Sequence, residues 1–191
     1  MLTFDEEQHV YSWNGVEKPS VTQCLNKLHD FNMVPAEVLN AACRRGSYVH
    51  TLCEFHDQND LDSSSIGIYA GYLDAWIAFC ADHKAVWQGI EVRGYSERYG
   101  FAGTWDRHGT LNGSPFVVDI KTSQSSHPVW GMQTSAYRQL IAETDPSWML
   151  ARRATVQLRP DGTYKFIEWS WNADWPAFLA LINLINWSKQ S

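Results

Sequence analysis

Paired cysteines, positive charge and long apolar runs are all scarce in this sequence. Its cysteines are Cys24, Cys43, Cys53 and Cys80, with no close pair among them, so neither a disulfide framework nor a zinc site is predicted. The formal net charge of −6 gives no general basic surface of the kind that coats nucleic acid. No apolar run approaches the about 18 residues of a membrane span, and no signal peptide is recognisable, so we expect a cytoplasmic protein without membrane contact.

The length and the patterning predict a single domain spanning residues 1–191, with a substantial core. No repeat, low-complexity tract or linker interrupts the chain. A first helix is predicted from Pro19-Ser20 to about His29, and a second helix is predicted after Pro35. The second helix has an apolar stripe, Val38, Cys43, Val49 and Cys53, which we expect to be buried. Three further helices are predicted over residues 69–86, 129–142 and 175–187. Predicted strands cover 10–13, 91–97, both sides of Asn112-Gly113, 154–158 and 164–169. This alternation predicts an α/β sandwich, a mixed central sheet flanked by helices.

The dipeptide Asn112-Gly113 between two apolar runs predicts a tight β-hairpin of the type I′ class. In that register Asp106 lies opposite Asp119, and Lys121 shares the face of Asp119 because side chains alternate along a strand. Like charges in this arrangement are destabilising. A divalent cation bridging the two carboxylates offsets that cost, so the hairpin predicts a metal site. An ordinary cross-strand ion pair of Lys121 is the alternative, and a β-bulge would shift the register.

The same residues resemble a nuclease family. Asp106, the hairpin turn and Asp119-Ile-Lys121 resemble the core of the PD-(D/E)xK nuclease superfamily. Gln133-Thr-Ser-Ala-Tyr137 is similar to the Gln-xxx-Tyr helix motif of its RecB-like exonuclease branch, and Gly46-Ser-Tyr-Val-His50 resembles the helix that supplies that branch with a metal-binding histidine. The opening segment, residues 11–22, resembles the start of small phage-encoded exonucleases and of the mitochondrial genome-maintenance exonuclease. The four elements follow one another in the family's order.

The resemblance implies a restriction-endonuclease-like fold and a metal-dependent site, whose residues fall into three groups. The implied catalytic residues are Asp106, Asp119, Lys121, Gln133 and Tyr137. The implied ligands of Mg²⁺ or Mn²⁺ are His50, Asp106, Asp119 and the backbone carbonyl of Ile120. Glu54 and Glu97 are expected next to these ligands, without direct contact with the metal ion. Relatives that carry an iron–sulfur cluster hold it with cysteines near the C-terminus, so we expect no such cluster in a chain whose last cysteine is Cys80.

Substrate contacts are the least constrained part of the prediction. Arg44, Arg45, Arg152 and Arg153 are the candidates for phosphate contacts, although most arginines are simply solvated. Trp130 shares a helical face with the Gln-xxx-Tyr motif and is the candidate for stacking on an unpaired base. Core packing is the alternative for Trp130, as it is for most of the ten tryptophans.

The implied function is a metal-dependent deoxyribonuclease, in the first place an exonuclease of phage-type recombination, replication or repair. Its expected partners are DNA with a free end or in single-stranded form, and recombination or replication proteins, in the cytoplasm of a bacterial host. Two alternatives stay open: a structure-selective endonuclease with the same core, and an inactive DNA-binding recombination subunit. The sequence leaves the polarity of cleavage and the number of metal ions open.

Overall fold

Eight strands and five α-helices make up the part of the chain that the computed structural model describes, residues 1–6, 8–28 and 35–188. The strands are β1 (Leu2–Asp5), β2 (Val10–Trp13), β3 (Val16–Lys18), β4 (Val86–Ser96), β5 (Phe101–Leu111), β6 (Ser114–Lys121), β7 (Arg152–Leu158) and β8 (Tyr164–Glu168). The helices are α1 (Val21–Leu25), α2 (Ala36–Asp57), α3 (Ala70–Asp82), α4 (Val129–Thr144) and α5 (Asp174–Ser188). The predicted end of the first helix, His29, lies outside the described residues.

The central sheet has the strand order β4-β5-β6-β7-β8. Its strands pair antiparallel except for β6 and β7, which run parallel and are connected through α4. A parallel connection requires a crossover, and a helix is the usual one. Strands β1, β2 and β3 form a separate antiparallel sheet, of which the sequence patterns predicted only β2. A hydrogen bond of 2.6 Å between the hydroxyls of Tyr11 and Thr104 joins this small sheet to β5.

Two apolar cores lie on opposite faces of the central sheet. The first core contains Val117 together with residues of α1, α4 and α5. The second contains Val118 together with residues of α2 and α3. The neighbours Val117 and Val118 point to opposite faces because side chains alternate along a strand. This architecture confirms the predicted α/β sandwich. No helix in the described ranges is long and apolar enough to cross a membrane.

Helix α2 is buried only in its second half. Val49, Leu52 and Cys53 are buried against the sheet, as the pattern predicted for Val49 and Cys53. Val38 and Cys43 are exposed, so the predicted stripe is wrong for the first half of the helix. The second half covers the second core, whereas the first half borders a groove at the end of β6. The covered half carries His50.

The Asn112-Gly113 hairpin is confirmed. Both turn residues have positive φ, 49° for Asn112 and 79° for Gly113, as a type I′ turn requires. The ladder between β5 and β6 runs in the predicted register from Leu111 and Ser114 as far as Arg107 and Val118. Beyond that pair the regular pairing ends, and side chains replace backbone groups as hydrogen-bonding partners.

Candidate metal centre

Asp106 lies where the ladder of β5 and β6 ends. Its Oδ2 accepts a hydrogen bond of 2.6 Å from the backbone amide of Ile120, so the carboxylate is fixed against β6. The predicted direct pairing of Asp106 with Asp119 is therefore replaced by a side-chain contact one residue further along. The side chain of Asp106 is buried, and its other oxygen, Oδ1, faces His50.

His50 reaches this place from the covered half of α2. Its Nε2 lies 3.1 Å from the carbonyl oxygen of Ile120, and its Nδ1 lies 3.6 Å from Oδ1 of Asp106. The structure thus brings His50, Asp106 and the Ile120 carbonyl together. These are three of the four ligands that the family resemblance implied.

Glu91 joins the cluster, and sequence reasoning missed it. Its Oε1 lies 3.9 Å from Nδ1 of His50. One ligand atom each from His50, Glu91 and Asp106 lies within 4.8 Å of the other two, which is compact enough to hold one cation. Glu91 is in β4 with a φ of 49°, a conformation that costs a residue other than glycine some backbone strain. The available signal was an acidic side chain inside a predicted strand, close to the Asp106 strand.

Arg107 is the buried cation behind this cluster. Its Nη1 donates to Oε1 of Glu91 at 3.0 Å and to the carbonyl oxygen of Asp106 at 2.6 Å. Its Nε donates to Oδ2 of Asp57, at the end of α2, at 2.6 Å. The guanidinium group also lies over the ring of Trp76, 5.5 Å from its centre. Since the arginine side chain is fully buried, its charge acts in a medium of low polarity and offsets the nearby carboxylates.

Asp119 and Lys121 form the other side of the site. Nζ of Lys121 lies 2.7 Å from Oδ2 of Asp119. Burial raises the pKa of Asp119 to about 6, an effect that Lys121 opposes and Asp106 reinforces. Asp119 lies outside the compact group of His50, Glu91 and Asp106, but its pKa responds to both His50 and Asp106. The carboxylate is therefore close enough to share an electrostatic environment with the cluster.

Helix α4 covers the Asp119 side of the site. The side-chain amide of Gln133 donates to the hydroxyl of Tyr137 at 3.0 Å, and both side chains are buried. Burial raises the pKa of Tyr137, and the charges of Asp119 and Asp106 raise it further. The Gln-xxx-Tyr face therefore lies on the Asp119 side of the site, within the electrostatic influence of both aspartates.

The donor set fits a hard divalent cation. Carboxylate and carbonyl oxygens are the preferred ligands of Mg²⁺, and Mn²⁺ also accepts imidazole nitrogen. Burial, followed by the charge of Asp106, raises the pKa of Glu91 to about 8. A buried group of carboxylates with pKa values raised in this way is one that a cation stabilises. The compact arrangement of His50, Glu91 and Asp106 agrees with such a metal site.

The two other acidic residues predicted near the metal, Glu54 and Glu97, differ in their position relative to the cluster. Glu54 is on α2, one turn after His50, is half-buried, and its charge contributes to the raised pKa of Glu91. Glu97 is exposed in the turn after β4, outside the cluster. The prediction is wrong for Glu97 because the acidic position of β4 that faces the site is Glu91, six residues earlier.

The predicted substrate contacts are only partly compatible with the structure. Arg44 is exposed on α2, and Arg45 borders the groove beside Thr122. Arg152 is at the opposite end of the parallel pair, beside Phe116, where it forms an ion pair with Glu168. Its position so far from Lys121 does not suit a contact at the site.

Two of the predicted substrate contacts are wrong. Arg153 is buried: its Nη1 lies 2.9 Å from Oδ2 of Asp174 and donates to the carbonyl oxygen of Gly131. Trp130 is buried in the first core, so it has no ring face for a base to stack on. Each side chain is used to pack α4 and α5 onto the sheet. Buried arginine and tryptophan are not distinguishable from exposed ones by residue type alone.

Comparison with known proteins supports the fold. No protein-family model matches the chain, and no curated protein matches it. The crystal structure named "Putative exonuclease" from Eubacterium rectale is similar over 87% of this chain and 77% of that chain, with a TM-score of 0.52 and 13% identity. The crystal structure of SSO0001 is 18% identical, covers 86% of this chain and 72% of its own, and has a TM-score of 0.42. The first likeness shows the α/β fold.

Proposed function

We propose that this chain is a metal-dependent deoxyribonuclease of the RecB-like PD-(D/E)xK type, and that it acts as an exonuclease. The observation that carries the proposal is the convergence of His50, Glu91 and Asp106 within 4.8 Å, next to the ion pair of Lys121 and Asp119. The fold that this site occupies is similar to that of a protein named as an exonuclease. A fold alone does not determine function, so the proposal depends on the arrangement of the side chains at the site.

The residues that would hold Mg²⁺ or Mn²⁺ are His50, Glu91, Asp106, Asp119 and the carbonyl group of Ile120. The chemistry that such a cation would supply is a lowered pKa of a bound water and polarisation of a phosphoryl oxygen. Asp106 keeps its orientation through the amide of Ile120. Glu91 keeps its orientation through Arg107. These side chains are therefore positioned before the substrate arrives, which reduces the reorganisation that the reaction requires.

Lys121 is the proposed partner of the attacking water and of the phosphate. Its ammonium group is partly exposed, so it is accessible to a substrate, while Asp119 holds it on the site side of β6. A cation in this position orients the water and stabilises the negative charge that develops on the phosphoryl oxygens. Tyr137 and Gln133 close the same side and limit the access of bulk water to Asp119.

DNA with a free end or in single-stranded form is the proposed substrate, in phage-type recombination, replication or repair. This part of the proposal rests on the resemblance of the sequence motifs to small phage exonucleases. Proteins of recombination or replication in a bacterial cytoplasm are the partners that such a role implies.

The test is digestion of end-labelled linear and of circular single-stranded DNA, with Mg²⁺, with Mn²⁺ and with EDTA. We expect metal-dependent loss of the linear substrate alone, and no loss with Asp119→Asn. Cleavage of the circular DNA would show that the activity is endonucleolytic, since a circle has no end at which an exonuclease can start. Absence of cleavage of any single- or double-stranded DNA with either metal would contradict the proposed activity and favour a DNA-binding subunit.

A further inference from the structure

A groove of about 800 Å³ lies at the carboxyl end of β6, where Thr122 follows Lys121. One wall is the exposed first half of α2, from Val38 to Arg45. The other wall is the turn between β7 and β8, from Leu158 to Asp161. The groove therefore begins at the residue next to the proposed catalytic lysine and leads away from the metal centre.

Two arginines border the groove, and neither forms an ion pair within the described ranges of the chain. Arg45 has a buried Nε without a hydrogen-bonding partner among the described residues, and its Nη2 makes one long contact of 3.5 Å with the carbonyl oxygen of Thr122. Arg159 has an exposed side chain. The acidic residue in the lining, Asp161, accepts hydrogen bonds from the amide and hydroxyl of Thr163, which lower its pKa, and the charge of Arg159 lowers it further. The lining therefore carries two positive charges and one negative charge, a net positive charge that favours an anionic ligand.

The wall that carries Arg159 is rigid. The amide of Arg159 donates to the carbonyl oxygen of Thr163 at 3.0 Å, and its own carbonyl oxygen accepts from the amide of Gly162. Pro160 packs on α3 at Gly71, where a Cβ atom would lie 1.9 Å from the Pro160 carbonyl oxygen. A backbone held in this way presents the Arg159 side chain from a fixed point, which lowers the entropy lost on binding.

The position of Arg45 relates the groove to the site. Arg45 precedes His50 by five residues on α2, which is about 7.5 Å along a helix axis. Successive phosphates of one strand are about 3.4 Å apart along the axis of a duplex, so this axial distance corresponds to at most about two nucleotides. Between Arg45 and His50, Gly46 lies close to Thr122, with 3.8 Å from its Cβ position to the threonine hydroxyl, so α2 packs closely on the end of β6 at this point.

We propose that this groove binds the backbone of one single strand of nucleic acid that enters or leaves the metal centre, with Arg45 and Arg159 contacting its phosphates. The proposal rests on the proposed nuclease function and adds the form of the substrate. A volume of about 800 Å³ is in the range that encloses a small ligand or a few nucleotides, which suits one strand and not a duplex. A positively charged groove that follows the phosphate backbone is a common feature of proteins that bind single strands.

The test is equilibrium binding of a fluorescent oligo(dT) and of a duplex of equal length in EDTA, where no cleavage occurs. Arg45→Gln and Arg159→Gln should each weaken binding of the single strand about fivefold or more at low salt. Each should also reduce the salt dependence, because about 0.7 counterions are released per phosphate contact on a single strand. Arg152→Gln is the matched control and should bind within about twofold of the unmodified chain, since its side chain is far from the groove. In cleavage assays the two groove variants should raise KM and leave kcat nearly unchanged.

The groove proposal fails if both variants bind oligo(dT) with unchanged affinity and salt dependence, if the duplex binds as tightly as the single strand, or if poly-glutamate displaces oligo(dT) at equal charge concentration. The last result would assign the groove to an acidic protein tail. Because binding is measured without metal, its outcome is separate from that of the nuclease assay. A chain that binds oligo(dT) through both arginines but cleaves nothing contradicts the proposed function and retains the groove.

Discussion

Glu91 has a positive φ, unlike any other residue of β4. The strain is maintained by Arg107, which holds the carboxylate beside His50 and Asp106. Strained backbone of this kind concentrates at functional sites, where neighbouring contacts determine the conformation. At the scale of single residues, the site therefore depends on one strained glutamate and one buried arginine.

Replacing Glu91 tests whether it binds the metal. We expect Glu91→Gln to lower the affinity for Mn²⁺ at least tenfold, because the neutral amide is a weaker ligand and the cluster loses one negative charge. Glu97→Gln, in the exposed turn of the same chain segment, should leave the affinity unchanged. Calorimetric titration of both variants with Mn²⁺ measures the difference. Equal affinities in the two variants would remove Glu91 from the metal centre.

At the scale of elements, the end of α2 is tied to the sheet by a buried ion pair. Asp57 pairs with Arg107 and also accepts from the indole Nε1 of Trp76 at 3.0 Å. The segment that begins at Asp57 is polar in sequence, a composition typical of surface loops. The carboxylate of Asp57 is instead among the most constrained groups near the site, since both of its oxygens have partners.

Removing this carboxylate should destabilise the whole chain. Breaking a buried ion pair from one side costs about 3–5 kcal/mol, and here it leaves the Nε of Arg107 without its carboxylate partner. We expect Asp57→Ala to lower the free energy of unfolding in urea by about that amount. Asp60→Ala, at an exposed position three residues later, should change it by less than about 0.5 kcal/mol. If the two variants were equally stable, the ion pair of Arg107 would have no structural role.

The hairpin and the Gln-xxx-Tyr helix were predictable because their signals are local. Asn112-Gly113 determines the turn, the turn determines the register, and alternation then places Asp119 and Lys121 on one face. Glu91 and Arg107 were not predictable in this way, since their roles depend on a strained φ and on a contact with Asp57 that is distant in sequence. The burial of Trp130 and Arg153 depends on the packing of α4 and α5, which a single sequence does not reveal.

At the scale of the whole molecule, the metal centre couples stability to pH. Raised pKa values, about 8 for Glu91 and about 6 for Asp119 against ordinary values of 4.5 and 3.8, mean that the folded state retains protons that the unfolded state has lost. Between the ordinary and the raised value, the contribution of each group to stability therefore falls as pH rises. Below the ordinary values both states are protonated, and the contribution is constant.

The metal-free protein should lose stability from these two groups between pH 3.8 and about pH 8, and Mn²⁺ should restore it increasingly toward the higher pH. Unfolding temperatures in EDTA and in Mn²⁺ over that range measure both effects. Glu91→Gln is the reference, since it removes the Glu91 contribution and leaves those of Asp119, whose pKa is raised, and of His108, whose pKa burial lowers. A wild-type curve in EDTA that runs parallel to the Glu91→Gln curve would contradict the raised pKa of Glu91.

The central claim is that Lys121 performs chemistry at a metal centre that other residues hold. The most direct measurement is single-turnover cleavage of end-labelled DNA by Lys121→Met, with the Mn²⁺ affinity determined on the same sample. We predict a rate at least about 100-fold lower with the Mn²⁺ affinity preserved, because the ammonium group acts on the transition state and not on the cation. Lys165→Met, on the exposed side of β8, should cleave at the normal rate. Undiminished cleavage by Lys121→Met would contradict the account.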